Sequence, residues 1–340
     1  MSTTLVTGAA GFIGFHLARR LLAEGRPVVG VDNLNAYYDP ALKQARLAVL
    51  QQDPKFRFIE MELADRDGCA ALFEAGGYER VVHLAAQAGV RYSIDNPAAY
   101  VDANLVALGN VLEGCRHSRC EHLVFASSSS VYGANKKSPF SVDDRVDHPV
   151  SLYAATKKAG ELMAHTYSHL YDLPTTCLRF FTVYGPWGRP DMAVYKFTQA
   201  MSAGEPIDVY NRGQMRRDFT YIDDVVGGIA GVLDLPPKRG ELRPSDGDSP
   251  PASDAPHRVY NLGNNSPVSL EELIATIEAA LGVQAERRLL PMQPGDVPET
   301  YADIDALTAD TGFRPTTPLA DGVASFVAWW REHHGAAAAQ

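Results

Sequence analysis

Tyr153 and Lys157 stand four residues apart in the helical pattern Leu152–Tyr171, so a phenol and an ammonium share one face. A phenol at its usual pKa of about 10 is a poor base at neutral pH. Lowering it by about three units takes roughly 4 kcal/mol of preferential phenolate stabilisation. A neighbouring ammonium supplies part of this, and a bound cationic ring could supply more. By itself the pair is weak evidence, because a chain with 15 tyrosines yields about one such pairing by chance. Upstream, however, Ser127-Ser128-Ser129-Ser130 follows an apolar run and leads into Val131-Tyr132-Gly133. A hydroxyl at the end of a strand can bond both a substrate hydroxyl and a tyrosine, relaying a proton as hydride leaves.

Hydride chemistry needs an acceptor, and the start of the chain has a seat for one. Gly8-Ala-Ala-Gly11-Phe-Ile-Gly14 follows the apolar run Leu5-Val6-Thr7 and opens an amphipathic segment. In a strand–turn–helix unit the first glycine permits the turn, the second admits a pyrophosphate and the third lets helix and strand pack. The helix N-terminus then holds the phosphates. Asp32 ends the second apolar run, eighteen residues beyond Gly14. A carboxylate there accepts from the 2′-hydroxyl of NAD and repels a 2′-phosphate, and the next residue is Asn33 rather than an arginine. The predicted cofactor is NAD.

Positioning these groups requires a parallel sheet with its carboxyl ends on one side. Strand and helix patterns alternate through the first half, as in an α/β doubly wound sheet of the Rossmann type. Predicted strands are Thr4–Thr7, Val28–Val31, Phe56–Glu60, Arg80–Leu84, His122–Ala126 and Thr175–Phe180, with helices at Tyr100–Cys115 and Leu152–Tyr171. After Tyr184 the alternation loosens. This divides the chain into an NAD-binding domain over residues 1–183 and a smaller, mainly sugar-nucleotide-binding lobe over 184–330. Segments near 217–235 and 257–263 are expected to return to the first domain. The Pro-, Ser-, Asp- and Gly-rich stretch 236–256 reads as a flexible surface loop, and 335–340 as a frayed tail.

The 340 residues suffice for one large or two ordinary domains, and 46% apolar with 21% charged residues is the balance of a soluble globular protein. A net charge of −10 argues against nucleic acid or an anionic membrane as partner, although local arginines can still hold an anionic substrate. No run of 18 apolar residues occurs and a strand begins within four residues, so neither a membrane span nor a signal peptide is expected. Cys69, Cys115, Cys120 and Cys177 lack zinc-like spacing and read as reduced thiols of a cytoplasmic protein. The ten histidines form no metal-binding cluster.

The glycine turn, Asp32, the serines before Val131-Tyr132-Gly133, Tyr153 and Lys157 occur in an order that resembles the extended short-chain dehydrogenase/reductase superfamily, its NAD-dependent epimerases and dehydratases. The resemblance runs from Gly8 to about Asp303. It implies a catalytic set of Ser128, Tyr153 and Lys157, with Ser127 and Ser130 as neighbours. It implies NAD contacts at Gly8, Gly11, Phe12, Ile13, Gly14, Asp32, Asn33, Asn35, Leu63, Leu84, Ala85, Ala86, Asn104, Tyr153, Lys157 and Phe180. It also implies a homodimer joined through the helices around Tyr100–Cys115 and Leu152–Tyr171. One departure is Glu62, where the superfamily usually has an adenine-contacting Asp.

Within the superfamily, sugar-nucleotide 4,6-dehydratases carry Thr-Asp-Glu before V-Y-G, and UDP-xylose synthases keep the Glu. Ser128-Ser129-Ser130 offers no carboxyl group. What is left is reversible oxidation at C4, turning of the keto sugar and return of the hydride, which is 4-epimerisation. Asp32-Asn-Leu-Asn35-Ala-Tyr-Tyr-Asp39, the run Thr182 to Met192 and Met292-Gln-Pro-Gly-Asp296-Val resemble UDP-glucuronate 4-epimerases closely. Arg189 can grip a C5 carboxylate with its planar fork, and Thr182 can add a hydroxyl. A 4-keto uronate is a β-keto acid that tends to lose CO₂, so its carboxylate must be restrained. The resemblance assigns Arg217 to the diphosphate and Asp296 to the nucleotide ribose. A second diphosphate arginine would fall at Gln293 and is missing. The expected partner is a UDP-sugar. A UDP-glucose or UDP-N-acetylglucosamine 4-epimerase is the alternative, followed by a UDP-glucuronate decarboxylase and a non-catalytic NAD-sensing scaffold.

Overall fold

The structure, a computed structural model, describes residues 3–247 and 253–337. Twelve strands are formed among these residues: β1 (Thr4–Thr7), β2 (Val28–Asp32), β3 (Phe56–Glu60), β4 (Arg80–His83), β5 (His122–Ser128), β6 (Thr175–Phe180), β7 (Thr182–Tyr184), β8 (Ile207–Val209), β9 (Arg216–Tyr221), β10 (His257–Leu262), β11 (Pro267–Ser269) and β12 (Arg287–Leu289). Seven of them make one parallel sheet in the order β10-β6-β5-β4-β1-β2-β3. β1, β2, β5 and β6 are buried along their whole length. This is why they read as continuous apolar runs rather than alternating ones. The strand order reverses between β1 and β4, leaving a crevice over their carboxyl ends, where open α/β sheets bind ligands.

One face of the sheet is covered by the helices Phe12–Ala23 and Ile222–Leu233, which share a core of Phe15, Leu17, Leu21, Val225, Ile229 and Val232. The other face is covered by Leu72 and Phe73 of the helix Arg66–Gly76, Leu108, Val111 and Leu112 of Ala107–Ser118, and Ala164 of Leu152–Tyr171. β5 runs two residues past its predicted end, because Ser127 and Ser128 stay in register with Arg179 and Phe180 of β6. The strand therefore carries the serines to the rim of the sheet. The predicted helix Tyr100–Cys115 is instead three pieces: Pro97–Val101, a π-helical turn Asp102–Val106, and Ala107–Ser118. The wide turn holds Asn104 inward, where its amide is fully bonded.

A smaller lobe rests over the crevice. Its sheet is β11-β9-β7, with β8 and β12 as a parallel pair. Its core gathers Tyr195, Phe197, Met201, Phe219, Leu273 and Phe326. The stretch 236–256, expected to be a flexible loop, is tethered where it is described. Arg239 meets Asp172 at 2.6 Å and Asp254 at 3.0 Å. Buried Arg243 donates to the Tyr260 hydroxyl and the Leu235 carbonyl, and Ser245 donates to Asp310. Its polar residues thus satisfy partners on neighbouring elements. Residues 248–252 lie outside the described residues, as do 338–340 of the expected frayed tail, whose first part continues the helix Leu319–Ala337.

Candidate active site

A cleft of about 800 Å³ lies between the sheet and the smaller lobe. Every candidate residue named from the sequence lines it except Asn104. Asn104 instead bonds the Gln87 backbone through both amide atoms, at 2.8 and 3.1 Å, and the Thr156 hydroxyl at 3.0 Å. It is a buried strut between the loop after β4 and the helix of Tyr153. The resemblance implied an NAD contact at Asn104, whereas both atoms of its amide are bonded within the chain.

The deep end fits a dinucleotide. Gly8 has φ +70°, and a Cβ there would lie 2.8 Å from Ala85 N. A Cβ on Gly14 would lie 2.1 Å from Gly8 O, so the turn packs backbone on backbone. The helix Phe12–Ala23 starts at Gly11 with no side-chain cap, leaving its first-turn amides for an anion. Asp32 accepts from Ala10 N at 3.2 Å and Leu34 N at 2.9 Å, and a carboxylate has further lone pairs for a ribose hydroxyl. The sequence reading missed two residues here. Buried Lys43 lies 3.5 Å from Asp32 and 3.1 Å from the Asn35 side chain. Arg46, fully buried, donates to the Ala10 and Trp187 carbonyls and to the Tyr38 hydroxyl. It ties the glycine turn to the loop that carries Arg189. Their only sequence signal was two cations three apart in an amphipathic helix. Glu62, the departure noted above, accepts from the Asn33 amide at 2.6 Å.

Tyr153, Ser128 and Lys157 line the same cleft, farther along its wall. The Ser128 hydroxyl accepts from Ser130 N and donates to Ser130 Oγ, both at 3.1 Å. Burial pushes the Tyr153 phenol above its ordinary pKa; the Ser128 hydroxyl and the Arg189 guanidinium pull it down, and the Asp191 carboxylate adds to the rise. Lys157 donates to the Ala126 carbonyl at 2.8 Å, and burial brings its ammonium down to about 7. Lys157 lies one turn along the helix and is held by the strand. Ser127 departs further from expectation. Its hydroxyl donates at 2.7 Å to Glu161, whose carboxylate is chelated by Arg179 at 2.8 and 3.0 Å. Ser127 is thus bonded about two turns along the helix of Tyr153, while the Ser128 hydroxyl acts on the phenol itself.

Thr182, the first residue of β7, and Arg189, in the loop after it, line the same cleft, and the Arg189 charge reaches the Tyr153 phenol. Arg189 does not present an open fork: it chelates Asp191 at 2.9 and 2.7 Å. At the far end Arg217 donates to the Arg216 and Pro298 carbonyls, and Asp296 accepts from Arg91 at 3.0 Å. Arg91, stacked 4.6 Å from the Tyr210 ring, is a second cation at that end that sequence reasoning did not identify.

A probable UDP-glucuronate 4-epimerase of Rhizobium meliloti (strain 1021) is 51% identical over 331 residues, covering 97% of each chain. UDP-glucuronate 4-epimerase 1 of Arabidopsis thaliana is 49% identical over 338 residues, covering 98% of this chain and 77% of its own. The crystal structure of UDP-glucuronic acid 4-epimerase from Bacillus cereus, in complex with UDP-glucuronic acid and NAD, superposes with a TM-score of 0.87 at 32% identity, covering 97% of this chain and 99% of that one. The sequence profile of the NAD dependent epimerase/dehydratase family matches residues 4–242. With seven parallel strands, the glycine turn and Asp32 over one crevice, and Tyr153 beside Ser128 at its mouth, the chain belongs to that family.

Proposed function

We propose that the protein is a UDP-glucuronate 4-epimerase that interconverts UDP-glucuronate and UDP-galacturonate. The observation that carries this reading is one cleft in which Ser128 and Tyr153 face Thr182 and Arg189, with hydroxyls and no carboxyl group on the serine turn. Relatives about half identical over nearly the whole chain bear that activity in their names. A neutral UDP-sugar is the second reading, favoured by one feature: Asp191 already occupies the Arg189 fork.

NAD, when bound, supplies a reversible acceptor for the C4 hydrogen. Tyr153 takes the C4 hydroxyl proton, with Ser128 bridging the two oxygens, and returns it to the inverted carbinol. Lys157, one turn along the helix from Tyr153 and near its titration point at neutral pH, supports the phenolate with its charge from its seat on Ala126. Arg189 and Thr182 hold the carboxylate end of the sugar. Arg217 and Arg91 flank the diphosphate, Arg91 taking the part of the arginine missing at Gln293, and Asp296 accepts from the ribose. A homodimer is part of the proposal, supported by Val101, Val106, Leu162 and Leu170, apolar and exposed on the helices that would pair. Light scattering that finds a monomer at all concentrations would remove it. The cytoplasm is proposed on four buried, unbridged cysteines. Among the described residues no helix is long and apolar enough to cross a membrane.

The test is incubation with UDP-glucuronate, with C4 inversion read by NMR and absorbance followed for NADH. Galacturonate should form without stoichiometric NADH. Arg189→Ala should lose roughly 2–5 kcal/mol toward UDP-glucuronate and far less toward UDP-glucose. Equal losses for both would return the site to neutral sugars.

A further inference from the structure

Arg189 and Asp191 do not face the cleft independently. Arg189 Nε donates to Asp191 Oδ1 at 2.9 Å and Nη2 to Oδ2 at 2.7 Å; Nη2 also reaches Met192 Sδ at 3.6 Å. The Tyr37 phenol donates to the same Oδ2 at 3.3 Å, so the carboxylate is held from two sides. Both side chains of the pair are about a quarter exposed (25% and 24%) and line the cleft wall. A guanidinium has five N–H donors. Among the described residues, those on Nη1 have no partner. One edge of Arg189 is thus taken by the chain's own carboxylate and Nη2 also reaches Met192 Sδ, which leaves Nη1 as the nitrogen without a partner among the described residues.

This division matters for a sugar that has to turn. Inverting C4 requires both faces of the ring to be presented in succession to one exchange point, so the substituents at C5 must move between two positions. A carboxylate chelated across the guanidinium fork would be fixed in direction and would oppose that movement. Met at one nitrogen, it keeps the charge attraction and can swivel. Asp191 also offsets the charge of Arg189, which limits how tightly the resting substrate is held. Tight ground-state binding lowers KM without raising kcat.

We propose that Asp191 is a positioning residue: it occupies the Nε–Nη2 edge of Arg189, so that a uronate carboxylate is held at Nη1 alone and the sugar can turn within the cleft. This rests on the uronate reading of the site. The nearby charge also bears on the proton step, because Asp191 is among the groups that raise the Tyr153 phenol.

The isosteric Asp191→Asn variant tests it. Freeing the fork should tighten UDP-glucuronate binding by about tenfold in calorimetry and lower kcat by about tenfold, since the gain is made in the ground state. UDP-glucose, with no carboxylate, should bind within about twofold of the wild-type value. The acid limb of the kcat profile should move to lower pH, because a negative neighbour of Tyr153 is gone. Asp191→Glu, which keeps the charge, should restore most of kcat and the original limb. If the Asn variant fails to fold, Asp191→Ser is read in the same way, with circular dichroism and bound NAD as folding checks. Weaker uronate binding at unchanged kcat, or equal shifts for both sugars, would overturn the role of Asp191. A wild-type enzyme that leaves UDP-glucuronate unconverted would overturn the substrate reading instead.

Discussion

Ser127 and Ser128 are adjacent residues of one chemical type, and the structure gives them separable jobs. Replacing Ser127 with alanine deletes its 2.7 Å hydrogen bond to the buried Glu161 carboxylate. Bonds to charged groups contribute about 1.5–3 kcal/mol. Glu161 keeps Arg179 on both oxygens and Lys158 at 3.2 Å, so its charge is not stranded. The loss should therefore fall at the low end, about 1.5 kcal/mol. In a chain of this size that lowers Tm by about 2 °C. Because the Ser127 hydroxyl is committed to Glu161, kcat should change by less than about threefold. Ser128→Ala is the converse. It removes the hydroxyl beside the phenol and should cost about a hundredfold in kcat. It also removes the cap on the turn Ser129–Tyr132, at about 1 kcal/mol. Thermal unfolding and steady-state epimerisation, measured on both variants, separate the two. A hundredfold fall in kcat for Ser127→Ala at wild-type Tm would refute the assignment.

Tyr153→Phe should lower kcat by about 10²–10⁴ while bound NAD, read by absorbance after denaturation, stays at the wild-type level. Gly14→Ala should cost about 3 kcal/mol in denaturant unfolding, because its Cβ would meet Gly8 O at 2.1 Å and Ala9 Cα at 3.0 Å, both backbone. Gly11→Ala brings a Cβ to 3.0 Å from Gly8 O, tighter than an ordinary contact but well short of the Gly14 clash; it should cost about 1 kcal/mol and weaken NAD binding at the helix N-terminus. Stability should also depend on pH with a definite sign. Lys157 is held at about 7, below its unfolded value, so the unfolded chain binds more protons and stability rises from pH 7 toward 9.5, by at most about 1.4 kcal/mol per pH unit; Lys157→Met should flatten that rise. His16 and His122 at about 4, and His83 and His257 at about 3, are all lowered chiefly by burial. Their stabilisation is full above pH 6.5 and is lost as pH falls toward 4, which a Tm series across that range would show.

What the sequence determined by itself is the chemistry that short spans of chain contain. A glycine turn, a carboxylate at a strand end and a Tyr–Lys pair on one helical face are set within a few residues, since turn geometry and the helical period need no distant partner. Apolar runs likewise announced the strands, because strands buried on both faces have no alternative composition. The tertiary structure decided where polar side chains point, since a buried polar group turns to whichever partner satisfies it. Ser127 turns to Glu161, 34 residues away, and Asn104 to Thr156, 52 away. Arg46 joins Ala10 to Trp187, and Tyr37 reaches Asp191 across 154 residues. Arg189 shows both levels at once: its type and motif marked it for an anion, but only the folded loop put Asp191 on its fork and left Nη1 without a partner among the described residues.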